Sequence, residues 1–216
     1  MALAKKETIS AELALLQKRY PRHPLRIDAK TPPFRTLVST ILSARTKDPV
    51  TVSATARLFE RISSPQELLA LSEEEIASIV YPVGFYKVKA KHLREMASGL
   101  IERFGGQVPG TLAELTSLSG VGRKTANLVL STAFRMPAIC VDTHVHRLSN
   151  RLGWVSSKNV QETEAKLSQR LPKQQWGMLN RVLVNHGQQV CHPVSSRCGD
   201  CFLASWCPRV GVKRSR

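Results

Sequence analysis

Four cysteines, Cys191, Cys198, Cys201 and Cys207, fall within 17 residues in the pattern C-x6-C-x2-C-x5-C. This spacing restricts what the C-terminal segment can become more than any other feature of the chain. The segment holds few apolar residues of its own, so it has no core to fold on and is expected to fold around a bound centre. Four thiolates in one short loop can enclose a tetrahedral metal ion or a cubic iron–sulfur cluster, and the spacing alone does not separate the two. Arg197 within the loop and Arg209, Lys213, Arg214 and Arg216 after it make a basic platform suited to phosphates. The fifth cysteine, Cys140, sits in the apolar run Pro137-Ala138-Ile139-Cys140-Val141 and is expected to be a small core residue.

A second stretch carries chemistry. It reads Leu118-Ser119-Gly120-Val121-Gly122-Arg123-Lys124-Thr125-Ala126-Asn127, then an apolar run, then Val141-Asp142-Thr143-His144. Two glycines around one apolar residue allow a tight turn. A helix is expected to follow, because no breaker occurs before Pro137. A glycine-rich turn that opens a helix suits a phosphate oxygen, since N–H groups and the positive dipole end converge there. Lys124 falls in the first turn of that helix. Its plain alternative is a lysine that touches phosphate, and that of Asp142 is the N-cap of a helix at 143.

Charge points to the partner. The 216 residues carry 32 Lys and Arg against 16 Asp and Glu, a formal net charge of +16. A polyanion is the plainest match. The excess is uneven: after Glu164 the one remaining acid is Asp200, among nine basic residues. Apolar residues make up 42%, which excludes a disordered tail. No apolar run approaches the roughly 20 residues of a membrane span. The start, Met1-Ala2-Leu3-Ala4-Lys5-Lys6, lacks the core of a signal peptide, so an intracellular, reducing location in the cytoplasm or nucleoid is expected, with the cysteines unpaired.

The chain reads as all-α. Ile9, Leu13, Leu16 and Tyr20 mark a helix over 8–20, and Phe34, Leu37, Val38, Ile41 and Leu42 form an amphipathic stripe. Asp48-Pro49 reads as an N-cap with proline at N1. Capping boxes at Ser64/Glu67, Ser72/Glu75 and Thr111/Glu114 start three more helices. Phe85, Val88, Met96, Leu100 and Phe104 mark a long helix closed by Gly105-Gly106, and helices near 143–152, 160–171 and 174–186 follow. No alternating strand pattern occurs.

Together, Gly120-Val121-Gly122-Arg123-Lys124-Thr125-Ala126, Val141-Asp142-Thr143-His144 and the cysteine pattern resemble the endonuclease III family of the helix-hairpin-helix DNA glycosylase superfamily. The likeness runs from about Phe34 to Pro208. It implies two helical domains with DNA in the cleft between them: a six-helix barrel with the helix-hairpin-helix over residues 26–136, and a cluster domain of residues 1–25 and 137–216. It also implies a [4Fe-4S] cluster on the four cysteines. The implied partner is double-stranded DNA with a damaged base, bound by a monomer.

The activity implied is removal of oxidised pyrimidines such as thymine glycol, followed by cleavage of the abasic site. The base must first be flipped out of the duplex. By the resemblance Lys124 attacks C1′ as a neutral amine and forms a Schiff base, and Asp142 steadies the cationic sugar. Burial, the helix N-terminus and Arg123 are expected to favour the neutral amine. Lysine at this place separates the lyases from hydrolytic relatives such as adenine glycosylases. Gly120, Val121, Gly122 and Arg123 are expected to grip the DNA backbone, with His144 and Arg197 on phosphates; a hydrogen-bonded structural histidine is the alternative for His144.

One departure stands out. Where the family commonly has glutamine, this chain reads Ser43-Ala44-Arg45-Thr46-Lys47-Asp48. Arg45 can fill the gap left by the flipped base, or simply touch phosphate. Phe85 corresponds to a wedge position, or else belongs to the core. Lys87, Lys89 and Lys91 read as backbone contacts or a solvated face. Two other functions compete: a mismatch-specific thymine or uracil glycosylase, and a non-catalytic DNA-binding module with a structural metal.

Overall fold

The computed structural model describes residues 3–216. Met1 and Ala2, at the start of the expected N-terminal segment, lie outside the described residues. The described chain is helical, with no strand beyond an isolated bridge between Ser196 and Ser215. It divides at Pro24/Leu25 and at Met136/Pro137 into two compact units, so the two ends of the chain share one unit.

The middle unit contains α1 (Pro33–Ser43), α2 (Asp48–Phe59), α3 (Pro65–Ala70), α4 (Glu73–Val80), α5 (Tyr86–Phe104), α6 (Leu112–Thr116) and α7 (Arg123–Thr132). Helix α1 is its axle. Every residue from Thr36 to Leu42 is buried, the hydroxyls of Ser39 and Thr40 included, because α2, α5 and α7 all pack on it. The expected amphipathic stripe is therefore correct but incomplete: a helix enclosed on all sides buries its small polar residues too. Thr40 Oγ1 donates to Thr36 O at 2.7 Å, which lets its hydroxyl sit there without an unpaired donor.

Local signals at the helix starts hold with small shifts. Ser72 and Glu75 form a complete capping box, with bonds of 3.1 and 2.7 Å. At the other two sites the hydroxyl accepts from the N3 amide as expected, but the glutamate goes elsewhere: Glu67 to Ser63 N, and Glu114 to the Thr111 hydroxyl. Lys47, not Asp48, is the N-cap of α2, which puts Asp48 in the first turn where its charge suits the dipole. The long helix α5 ends as expected, with Gly105 at φ +59° and Gly106 at φ +81°. Its buried face, however, runs through Lys89, Ala90, Leu93, Met96, Ala97 and Leu100, while Val88 and Phe85 are exposed. The expected apolar stripe was misplaced at its N-terminal end.

The terminal unit contains α8 (Lys6–Arg19), α9 (Thr143–Arg151), α10 (Val160–Arg170), α11 (Lys173–Trp176) and α12 (Leu179–Gln189). The single helix expected over 174–186 is two, interrupted at Gly177 and Met178. The core gathers Ile9, Leu13 and Leu16 of α8 with Val145, Leu148 and Leu183 around the fully buried Trp154. Cys140 is buried, as its apolar surroundings suggested.

Trp154 Nε1 donates to Oε2 of Glu12, a wholly buried carboxyl whose Oε1 has no hydrogen-bond partner. Burial raises the Glu12 pKa above the ordinary glutamate value, and the Trp154 bond opposes this only in part. The sign follows: below the ordinary glutamate value neither state ionises, and above it the unfolded chain ionises first, so Glu12 withdraws stability as pH rises through the window up to its raised folded value. Glu12→Gln removes that dependence. From pH 4 to pH 8 the melting temperature of the variant relative to the parent should therefore rise by a few degrees, measurable by circular dichroism.

Candidate functional site

The middle unit carries the hairpin. Helix α6 ends at Thr116, Val121 N donates to Leu118 O at 3.2 Å, and the chain turns at Gly120 with φ +73°. A Cβ at Gly120 would stand 3.0 Å from the Cβ of His92, so a side chain there would be both strained in backbone angle and crowded. Gly122 differs: its φ is −88°, it is the N-cap of α7, and it offers no side-chain cap. Val121 is buried, so it anchors the turn and can meet a ligand only through its backbone. Gly120, Val121, Gly122, Arg123 and Lys124 are thus brought together at a helix N-terminus, with the side chains of Arg123 and Lys124 exposed. The burial expected for Lys124 is absent, because its place in the first turn of α7 points it to solvent.

Two further turns of the same unit meet. The residue after α1, Ala44, leads into Arg45 at φ +52°, and the residue before α5, Phe85, has φ +58°. Both are left-handed without being glycine, a strained choice for an aromatic residue. The Arg45 guanidinium lies 5.5 Å from the centre of the Phe85 ring, and both side chains project from the surface, Phe85 at 59% exposure. Phe85 is therefore not a core residue. Gly84 packs against the Arg45 carbonyl so closely that a Cβ would stand 2.6 Å from that oxygen.

Lys89, expected as a DNA-backbone contact or on a solvated face, is 6% exposed. Its ammonium donates to Leu42 O at 2.8 Å, Ala44 O at 2.5 Å and Thr46 Oγ1 at 3.1 Å. Burial brings its pKa down to about 8. A signal existed in the sequence: positions 89, 93, 96 and 100 share one helical face, and three of them are apolar. Lys87 and Lys91, by contrast, are exposed.

In the terminal unit Asp142 is the N-cap of α9, and its Oδ1 accepts from the amides of His144 and Val145, both at 2.9 Å. The capping role is real and uses one oxygen. His144 Nδ1 lies 3.2 Å from Nη2 of Arg147, a donor that also reaches Gly187 O at 3.2 Å and Cys191 O at 2.9 Å. A guanidinium can only donate, so Nδ1 accepts and the ring proton resides on Nε2. Lys124 thus belongs to the middle unit, and Asp142 and His144 to the terminal one.

Cys191, Cys198, Cys201 and Cys207 line a single cavity, together with Leu148, Arg151 and His186. Among the described residues no three His, Cys, Asp or Glu side chains are grouped to hold a metal ion. The sulfurs surround a space and do not converge on a point. Burial pushes the Cys207 thiol up to about 11 and raises Cys201 as well, so the pocket by itself disfavours thiolates. Two donors nevertheless face the sulfurs, Arg151 Nη1 at 3.4 Å from Cys191 Sγ and the Arg209 amide at 3.3 Å from Cys207 Sγ, and His186 Nε2 lies 3.5 Å from Cys201 Sγ. Thiols that an apolar pocket keeps protonated, with N–H donors beside them, fit a cationic centre that would hold them ionised. Arg197 is exposed on this loop.

Residues 38–173 match the family described as HhH-GPD superfamily base excision DNA repair protein. The chain is 45% identical over 190 residues to endonuclease III of Thermotoga maritima, covering 88% of this chain and 87% of that one. It is similar to the protein in a non-covalent endonuclease III–DNA complex with a TM-score of 0.86 at 35% identity, covering 96% of this chain and 97% of the other. For a trapped endonuclease III–DNA covalent intermediate, an estranged-adenine complex, the TM-score is 0.84 at the same identity and coverage.

The close packing at Gly187 is testable. A Cβ there would lie 2.5 Å from His144 Nδ1 and 2.9 Å from Arg147 Nη2. Gly187→Ala should cost about 1–3 kcal/mol in a denaturant melt through overpacking. Gly110→Ala, with nothing within 4 Å of the new methyl, should cost less than about 0.5 kcal/mol.

Proposed function

Because the chain belongs to the HhH-GPD superfamily of base excision DNA repair proteins, we propose that it acts on duplex DNA as a glycosylase for oxidised pyrimidines, thymine glycol among them, and then cleaves the abasic site. It is a bifunctional DNA glycosylase and abasic-site lyase. A non-catalytic binding module is set aside, since the chain shares 45% identity with an endonuclease III over nearly its whole length. One observation carries the residue assignment: an exposed lysine in the first turn of a helix, entered through a glycine turn that can bring DNA backbone to the helix N-terminus.

On this reading Lys124 Nζ attacks C1′ of the flipped nucleotide as the N-glycosidic bond breaks and the base departs with its electron pair. Opening of the sugar gives an imine between Nζ and C1′. Loss of a C2′ proton then expels the 3′ phosphate and cuts the strand. Asp142 steadies positive charge on the sugar while its Oδ1 keeps α9 capped. Gly120, Val121, Gly122 and Arg123 hold phosphate, as do Arg197 and His144. Arg45 fills the gap left by the flipped base and Phe85 is the wedge beside it.

Borohydride trapping on an oligonucleotide with thymine glycol tests the chemistry. The parent should form a covalent adduct, and Lys124→Ala none; an adduct that survives the substitution sinks the lysine assignment. Asp142→Asn keeps a good N-cap, so it should slow excision by about a hundredfold or more with little change in melting temperature. A trapping panel that adds thymine and uracil mismatches decides between the two lesion classes.

The cysteine loop is read as the holder of a [4Fe-4S] cluster on Cys191, Cys198, Cys201 and Cys207. Four sulfurs lining one cavity, with N–H donors beside two of them, suit a centre held by thiolates, and the likeness to endonuclease III favours iron–sulfur over zinc. When bound, such a centre ties the loop together. Purified protein should be brown with broad visible absorbance and about four irons per chain. Cys198→Ser should lose both colour and the ordered loop, whereas colourless zinc-containing protein would overturn the cluster.

A further inference from the structure

We propose that Lys89 is the positioning residue of the lesion reader: its ammonium fastens the turn that carries Arg45 and, through the Thr46 hydroxyl, the turn that carries Phe85. This rests on the reading of Arg45 and Phe85 as the pair that fills and wedges the gap in the duplex.

Three observations lead there. First, the ammonium is fully engaged: Leu42 O, Ala44 O and Thr46 Oγ1 take its three donors. Two of these acceptors are carbonyls at the C-terminal end of α1, where unpaired oxygens and the negative end of the dipole collect. The cation stands where a lysine is most useful to a buried helix end.

Second, the Thr46 hydroxyl joins the two turns. It accepts from Lys89 Nζ and from the Gly84 amide at 3.1 Å each, and donates to Ala44 O at 3.3 Å. That exhausts its capacity as one donor and two acceptors. Gly84 completes the joint, since its missing side chain is what lets it lie against the Arg45 carbonyl.

Third, the two residues so held need holding. Arg45 and Phe85 are both left-handed, a conformation that persists in non-glycine residues where surroundings impose it. Their exposed stack is weak by itself. A reader fixed before DNA arrives loses less freedom on binding than one that must be ordered then. The burial that lowers the Lys89 pKa to about 8 still leaves the charged form dominant at neutral pH.

A purely structural lysine would only cap α1, and the two roles separate experimentally. Lys89→Met removes the donors at similar volume, and Thr46→Val unties the joint without touching the ammonium. Each is assayed for excision of thymine glycol from duplex, for cleavage of a preformed abasic site, and for melting temperature, alone and combined with Arg45→Ala. Both variants should lose excision by about tenfold or more while abasic-site cleavage changes by less than about threefold. In the Arg45→Ala background the same substitutions should add little, because the residue they position is already gone. Full additivity with Arg45→Ala, or equal loss of both activities in Thr46→Val, overturns the positioning role alone. A parent chain that does not cleave abasic DNA overturns the proposed function and this inference with it.

Discussion

An α-helix leaves its first N–H groups and last carbonyls without partners inside the helix, and three features of this helical chain grow from how those ends are met. The start of α7 is met by a glycine with no side chain, which leaves its dipole end suited to an anion, and Lys124 rides on that first turn. The start of α9 is met by Asp142, whose carboxylate is held in place by two backbone amides. The end of α1 is met by a buried ammonium from another helix. Three termini handled in three ways yield an open helix start beside an exposed lysine, a carboxylate held by two amides and a turn tied by a buried ammonium.

The cysteine loop follows a different logic. It has little apolar surface, so order comes from polar ties: Arg151 binds His192 O, Pro193 O and Ser196 Oγ, and Tyr20 reaches back to His186, whose burial lowers its pKa to about 4 and keeps it neutral. Arg147 links the Cys191 carbonyl to His144, two residues past the capping aspartate. Within the terminal unit, then, the loop and the first turn of α9 are joined through one guanidinium. Folding of the loop bears on the placement of that turn.

Much of this was legible from residues close together in the chain. Gly120 needed a positive φ, the Ser72 capping box formed completely, and Gly105-Gly106 closed a helix, because each depends on atoms within a turn of one another. Errors arose where neighbours in space decided. Val88 is exposed and Lys89 buried, because an apolar count cannot show which flank of α5 faces α1. The break at Gly177 and Met178 was overlooked because glycine in a helical pattern is tolerated as often as it interrupts. Lys124 was expected to be buried on chemical grounds, and the free chain leaves it exposed.

The sequence by itself determined the helical class, the glycine turn with its lysine, the capping aspartate and the four-sulfur set, all written in spacings of a few residues. Only the tertiary structure decided that a lysine closes the end of α1 from 45 positions away, and that a buried glutamate meets a tryptophan 142 positions away. The physical reason is the same in both cases. Burial of a charge or carboxyl is set by whichever partners the packing brings, and no local rule names a partner that distant.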